Sequence, residues 1–299
     1  MPELPEVATT VQGLKDTVRR LTITDVWSDY FINTKNKSLE SIKNKKFFLT
    51  FKTEVTGKKI VDIERRGKNI LIHLSGGITI LIHMKMTGHL LYGKYTQTRM
   101  GWIGDTEHLC DPFNQFIHLV FTLSNKRHLA FSDMRKFAKV TYFKTSDIHK
   151  EKSLAELGRE PLGNLTTKEF ASILKKKPHG KIKTVLMDQS LVVGIGNIYS
   201  DEILWLSGVH PFRQISTLTP KEVTRMYTAM KSVLAKGIDF GGDSMSDYRN
   251  IYGMRGKFQH HHNAYRKAGT PCLKKGCAGI IQRKKIGGRH AHFCDTHQS

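Results

Sequence analysis

Residues 187–205 run MDQSLVVGIGNIYSDEILW, and the reading of GIGN at 194–197 decides the fold. Two glycines before an apolar run could be taken for a dinucleotide-binding fingerprint. That motif needs a preceding strand and a βαβ frame, and neither surrounds this stretch. Apolar segments on both sides of the glycines suit two helices joined by a tight turn. Such a turn leaves backbone N–H groups at the start of the second helix. Those groups, with the Asn197 side chain, can hold a phosphate. Taken alone, the stretch would pass for a plain helix–helix turn.

Its surroundings are helical too. TTKEFASIL opens with Thr166 three residues before Glu169, the spacing of a capping box. In TPKEVTRMYTAMKSVLAKG, Thr219 is the N-cap and Pro220 takes the first helical position. Glu222 closes a second box, and Gly237 ends the helix. Val223, Met226, Met230 and Val233 form its apolar stripe. Upstream the texture differs. Residues 5–19 carry Val7, Val11, Leu14 and Val18 at helical spacing. From Phe47 to Phe143 the runs are short and β-rich. NILIHL (69–74) and ITILIHM (78–84) flank SGG, a hairpin turn, and IHLVFTL (117–123), HLAFS (128–132) and AKVTYF (138–143) follow. Such strands suit antiparallel sheets folded into a sandwich. Gly93 to Phe113 reads as a long polar loop. Residues 240–270 also read as loop, with His260, His261 and His262 solvated.

The 299 residues hold 48 Lys and Arg against 26 Asp and Glu, giving +22 with His neutral. With a pI near 9.8, this is the electrostatic footprint of a nucleic-acid binder. A basic face toward a membrane is the alternative. No apolar run reaches the ~18 residues of a spanning helix. The N-terminus lacks the charged-then-apolar order of a signal peptide. A soluble, intracellular, cytoplasmic protein with no membrane partner is expected. A reducing compartment suits its cysteines.

Cys272, Cys277 and Cys294 are joined by His297, with gaps of four, sixteen and two residues. Two close pairs across a hairpin-length spacer suit tetrahedral zinc on a β-hairpin, with the turn at Gly287–Gly288. Four protein ligands leave no open position, so one structural zinc is expected. Cys110 stands apart as an ordinary thiol.

The chain begins MPELPEV. Methionine before a small residue is normally removed, which would expose Pro2 as a secondary amine. An α-amino group titrates near about 8, against about 10.4 for lysine, so more of it is neutral and nucleophilic at pH 7. Attack by a secondary amine on a sugar C1′ yields a cationic iminium directly, an electron sink for elimination. Glu3 beside it can move protons. A proline that merely stiffens the chain start is the alternative.

PELPEV at the start, RRGKN (65–69), MKMTG (84–88), DMRKF (133–137), MDQSLVVGIGNIY (187–199), GGDSMSDY (241–248) and the terminal cluster occur in the order of one family. From Pro2 to His297 the chain resembles formamidopyrimidine-DNA glycosylase. The resemblance implies an α+β multidomain protein. Residues 1–145 would form an N-terminal β-sandwich catalytic domain with an N-terminal helix. Residues 150–262 would form a helix–two-turn–helix DNA-binding domain, and 266–299 a zinc-finger β-hairpin. It implies a monomeric, bacterial DNA-formamidopyrimidine glycosylase and DNA-(apurinic or apyrimidinic site) lyase in base excision repair. Its partner would be double-stranded DNA with oxidised bases or abasic sites, lying in a basic cleft.

The resemblance also implies residue roles. Pro2 would be the Schiff-base nucleophile and Glu3 the acid/base. Lys68 would touch a phosphate and donate a proton in β-elimination. Met86 would fill the gap left by the everted nucleotide, with Arg135 and Phe137 wedged against the orphaned base. Asn197 and Lys183 would clamp phosphates, and Arg289 would serve δ-elimination. Outside that context each is an ordinary core residue or surface charge. Departures from the family pattern fall at Ser190 and Lys85, at Met134, and in the four-residue first gap and histidine ligand of the zinc set. They bear on lesion preference and metal affinity. Two rivals stand beside this reading: an endonuclease VIII-like enzyme for oxidised pyrimidines, against which Leu4 argues, and a non-catalytic damaged-DNA-binding protein on the same scaffold.

Overall fold

A computed structural model describes residues 1–32 and 40–299, which fall into two units. One joins Met1–Ala155 to Phe240–Lys257; the other joins Glu156–Asp239 to Phe258–Ser299.

In the first unit, α1 (Leu4–Thr17) starts abruptly for a reason visible in PELPE. Pro5 needs no N–H partner in the first turn, and Glu3 and Glu6 cap each other's backbone. The Glu3 N–H donates to Glu6 Oε2 at 2.7 Å. Val7, Val11, Leu14 and Val18 are buried as their spacing predicts. Then come β1 (Ile23–Ser28), α2 (Lys45–Val55), β2 (Ile60–Arg66), β3 (Asn69–Leu74), β4 (Ile78–His83), β5 (His89–Gly93), β6 (Tyr95–Thr98), β7 (Gly101–Gly104), β8 (Ile117–Leu123), β9 (His128–Ser132), β10 (Lys139–Lys144) and the one-turn α3 (Lys152–Ala155). Two antiparallel four-stranded sheets, β1-β8-β9-β5 and β10-β4-β3-β2, share one core with α1 and α2. The expected sandwich is therefore present.

Two expectations need correction here. Gly93–Phe113 is not all loop: β6 and β7 pair as a hairpin. Tyr95 and Leu109, with half-buried Trp102, build a small core with Leu91, Val120 and Ala130. Four-residue strands are too short to show alternation in the sequence. Residues 240–257 belong with the first unit, not with the helices of 150–262. The Asp243 N–H donates to Glu6 Oε1 at 2.7 Å, Tyr248 Oη to the Glu6 carbonyl at 3.1 Å, and the Tyr92 N–H to the Ile251 carbonyl at 2.7 Å. Gly242 (φ +84°) lies so close to Glu6 that a Cβ would sit 2.9 Å from its Cγ.

The second unit holds α4 (Thr167–Lys175), α5 (Ile182–Leu186), α6 (Asn197–Ser207), α7 (Pro220–Asp239), β11 (Gln282–Ile286) and β12 (Arg289–Phe293). The Thr166–Glu169 box forms. α7 continues past Gly237 to Asp239, because that glycine is buried in the helix rather than ending it. The β11–β12 hairpin is not a separate domain: Ile286, Ala291 and Phe293 pack on Phe212 within this unit. His262 is also not solvated; its ring lies edge-on to Phe258 and Tyr265, each at 5.4 Å.

Glu222 shows how strongly α7 is capped. It accepts the Thr219 N–H at 2.7 Å and Arg213 Nη1 at 2.8 Å. Burial raises its pKa, but these hydrogen bonds and the Arg213 charge outweigh that and hold it at about 2. A depressed carboxyl pKa stabilises the fold above the unfolded value, near about 4.5, and loses that contribution as pH falls toward 2. Glu222→Gln should therefore destabilise by about 1–2 kcal/mol at pH 7. The gap to the parent should close between pH 5 and 2, as read by urea melts across that range.

Candidate functional site

The start of α6 is built by its preceding turn. Gly194 takes φ +87°, a conformation other residues rarely adopt. Gln189 braces it, accepting the Gly194 N–H at 2.8 Å and donating to the Ile195 carbonyl at 2.8 Å. Asn197 is the first helical residue, and its Oδ1 is buried with no hydrogen-bond partner among the described residues. Ser190 hydrogen-bonds Asp188 Oδ1 through its N–H and Oγ and lies exposed beside this turn.

Lys183 is placed differently from the expected surface clamp. Its side chain is 0% exposed. Its ammonium donates to Asp201 Oδ1 at 2.6 Å, Ser200 Oγ at 3.0 Å and the Asn197 carbonyl at 3.3 Å. An ammonium has three hydrogens, so none is left for a phosphate. Lys183 instead fixes the first turn of α6.

Along α6 Asp201, Glu202 and Trp205 tie down other parts of the unit. Asp201 Oδ2 accepts the His292 Nδ1–H at 2.9 Å and its backbone N–H at 3.1 Å. Glu202 accepts the backbone N–H groups of Asn263, Ala264 and Tyr265 at 2.8–2.9 Å. Trp205 Nε1 donates to Cys272 Sγ at 3.3 Å, and its carbonyl accepts from His297 Nε2 at 3.0 Å.

That last bond sets the His297 tautomer, turning the Nδ1 lone pair toward Cys272 Sγ, 3.2 Å away. Cys277 Sγ lies 3.7 Å from Cys294 Sγ. The four ligand atoms of Cys272, Cys277, Cys294 and His297 all fall within 4.8 Å of one another. Edges of about 3.3–3.8 Å follow from Zn–S and Zn–N bond lengths in a tetrahedron, so the cluster fits a metal ion. Burial raises the Cys294 pKa, yet the polar groups around it, the His297 ring and the backbone N–H groups of Thr296 and His297, bring it down to about 6. That favours the thiolate a metal requires. Gly287 (φ +54°) and Gly288 (φ +73°) make the expected turn, and Arg289 is exposed beside it as the first residue of β12.

In the first unit Asp133 joins the turns that carry Met86, Arg135 and Phe137. Fully buried, it accepts Thr87 Oγ1 at 2.5 Å, Tyr30 Oη at 2.9 Å and the Ala138 N–H at 2.9 Å. The Arg135 N–H donates to Thr87 Oγ1 at 3.2 Å. The turn bearing Met86 is thereby bound to the turn bearing Arg135 and Phe137. Lys85 (φ +55°) and Lys136 (φ +51°) hold left-handed positions in those two turns, strain of a kind that collects at functional sites. Phe137 is 47% exposed, with the Arg135 guanidinium 4.3 Å from its ring centre.

Pro2 and Glu3 are buried where α1 begins, and α1 packs on β2, β3 and β5. Lys68 is nearly buried in the turn between β2 and β3. His83 accepts the Lys85 N–H on Nδ1 at 3.0 Å. Burial, with the charges of Lys85, Lys68 and Lys139, lowers its pKa to about 3. It is therefore neutral and bears its proton on Nε2. The sequence reading missed Glu6, Asp133, Gln189, Asp201 and Glu202. The adjacent acids 201 and 202 inside an apolar helix were the available signal, since buried carboxylates need partners.

A helix–two-turn–helix unit with a four-ligand hairpin and a sandwich unit whose first helix follows Pro2 and Glu3, in one chain, define a DNA-glycosylase class. Comparison with known proteins agrees. Residues 1–140 match the formamidopyrimidine-DNA glycosylase N-terminal domain, and residues 157–249 match the H2TH domain of the same enzyme. A formamidopyrimidine-DNA glycosylase of Pelotomaculum thermopropionicum is 36% identical over 298 residues, covering 100% of this chain and 99% of its own. A Lactococcus lactis FPG mutant, solved with a Fapy-dG-containing DNA, superposes with a TM-score of 0.83 at 29% identity, covering 100% of both chains. The L. lactis enzyme with abasic-site DNA gives 0.83 at 28%, covering 99% of both. The chain belongs to the formamidopyrimidine-DNA glycosylase family.

Proposed function

We propose that this protein excises oxidised purines, 8-oxoguanine and formamidopyrimidines, from duplex DNA and then nicks the strand, as a base excision repair enzyme of the cytoplasm. Family membership over the full chain, with Pro2, Glu3 and Lys68 all intact, carries the reading.

With Met1 removed, the Pro2 nitrogen attacks C1′ of the damaged nucleotide as the C1′–base bond breaks. Glu3 moves the protons of base departure and ring opening. Loss of a C2′ proton through the iminium expels the 3′ phosphate, with Lys68 as proton donor. A second elimination, served by Arg289, expels the 5′ phosphate. Met86, Arg135 and Phe137 occupy the stack while the lesion is out, and the tie through Asp133 supports their acting together. Asn197 holds a backbone phosphate. The ion of the Cys₃His site is zinc, given its sulfur-rich tetrahedral donor set; when bound it supplies structure.

A panel of duplexes carrying 8-oxoguanine, a formamidopyrimidine or an oxidised pyrimidine tests the reading. The purine lesions should be cleaved fastest, giving ends phosphorylated on both sides of a one-nucleotide gap. Preference for the pyrimidine would favour the endonuclease VIII-like alternative. Binding without cleavage of any duplex would favour a non-catalytic protein.

A further inference from the structure

Beside Asn197 lies a polar cavity of about 450 Å³, lined also by Tyr265, Arg266, Arg283, His290 and His292. Its walls are cationic for a structural reason. In the β11–β12 register Arg283 stands opposite His292, and Lys285 opposite His290, so these four share one face of the hairpin. The other face carries the apolar Ile286, Ala291 and Phe293. The nearby acids are engaged elsewhere: Asp201 by Lys183 and His292, and Glu202 by three backbone N–H groups.

Arg266 is the informative residue. It sits at φ +57°, a left-handed position that a glycine would hold without strain. An exposed arginine there gains nothing in packing that would offset the strain, apart from a guanidinium 5.8 Å from the Tyr265 ring centre. Strain kept at a cavity wall points to function. The buried, unpartnered Asn197 Oδ1 adds a second sign. A half-turn of that amide presents Nδ2–H to an anion instead.

We infer that Arg266 and Arg283, with Asn197, form one pocket for a phosphodiester of the DNA backbone, and that Arg266 is kept in a strained backbone conformation to reach it. Guanidinium forks match phosphate oxygens bidentately. The inference rests on the DNA-binding reading above.

Arg266→Gly separates ligand from scaffold, because it should improve one property and harm another. Relief of strain should raise the Tm by about 2–4 °C. Affinity for an undamaged duplex should fall about tenfold, and the slope of log K against log salt should shrink by a part of the roughly 0.9 that one phosphate contributes, because Arg283 stays on the same phosphate. Arg283→Ala should lose a similar slope with no gain in Tm. Fluorescence anisotropy on one labelled duplex between about 50 and 200 mM salt reads both slopes. An Arg266→Gly protein with the parent's slope and affinity would overturn the inference. So would weaker binding accompanied by a lower Tm, since the arginine would then be part of the scaffold. A parent with no salt-dependent duplex binding would instead overturn the DNA-binding reading itself.

Discussion

Cys294→Ala should lose about one zinc per chain and most duplex affinity, at least about 100-fold, while the sandwich unit stays folded. Small metal-bound hairpins draw about 10–16 kcal/mol of apparent binding energy from their ion, and without it they are generally unfolded. Here the loss would spread along α6. Trp205 would lose its thiolate acceptor, and Asp201 would lose His292. The proposed phosphate pocket would lose Arg283. The first unit contributes none of these groups. His297→Cys should keep zinc, because Cys₄ is also a ligand set zinc accepts, although the bond to the Trp205 carbonyl disappears. Arg289→Ala should keep zinc too, and let β-elimination product accumulate at the expense of δ-product. Metal analysis beside a product-resolving gel checks all three variants. Zinc bound by His297→Ala as tightly as by the parent would exclude His297 from the set.

Pro2→Gly should lower lesion cleavage by at least about 100-fold. Glycine keeps a terminal amine, but it is primary and no longer held by a ring just ahead of α1. Its Schiff base carries an N–H and can deprotonate to a neutral imine, which the proline iminium cannot, so the cationic electron sink is weaker. Duplex affinity should change little, since Pro2 is buried and carries no phosphate role. Protein with Met1 retained should be equally inactive, because the Pro2 nitrogen is then an amide. Single-turnover kinetics on one lesion duplex, with intact mass as the check on Met1, reads both. Cleavage at the parent's rate by either protein would move the nucleophile elsewhere.

Local chemistry made much of this legible in the sequence. The capping boxes at Thr166 and Thr219, the SGG turn and the α1 stripe depend on neighbours within a few residues, and each is present, as is the Cys/His cluster that the spacing of residues 272–297 announced. What escaped depends on partners far along the chain. Glu6 looks like a helix-start acid, yet half of its carboxylate serves Asp243. That contact also draws residues 240–257 into the first unit. Lys183 looked like surface charge because nothing local announces Asp201 eighteen residues away. Gly237 looked like a helix stop because a buried helical glycine and a C-terminal one are alike in sequence. Asp133 escaped because the family signature drew attention to Arg135 and Phe137, while the acid that holds them is silent at the surface.

The proposed mechanism turns on a covalent bond between the Pro2 nitrogen and C1′ of the damaged nucleotide. Borohydride reduction during turnover on a lesion duplex, followed by proteolysis and mass spectrometry of the cross-linked peptide, tests it directly. The expected product is a single adduct on the N-terminal peptide beginning at Pro2, with the deoxyribose remnant on its nitrogen. An adduct on an internal lysine, Lys68 above all, with the Pro2 peptide unmodified, would contradict it.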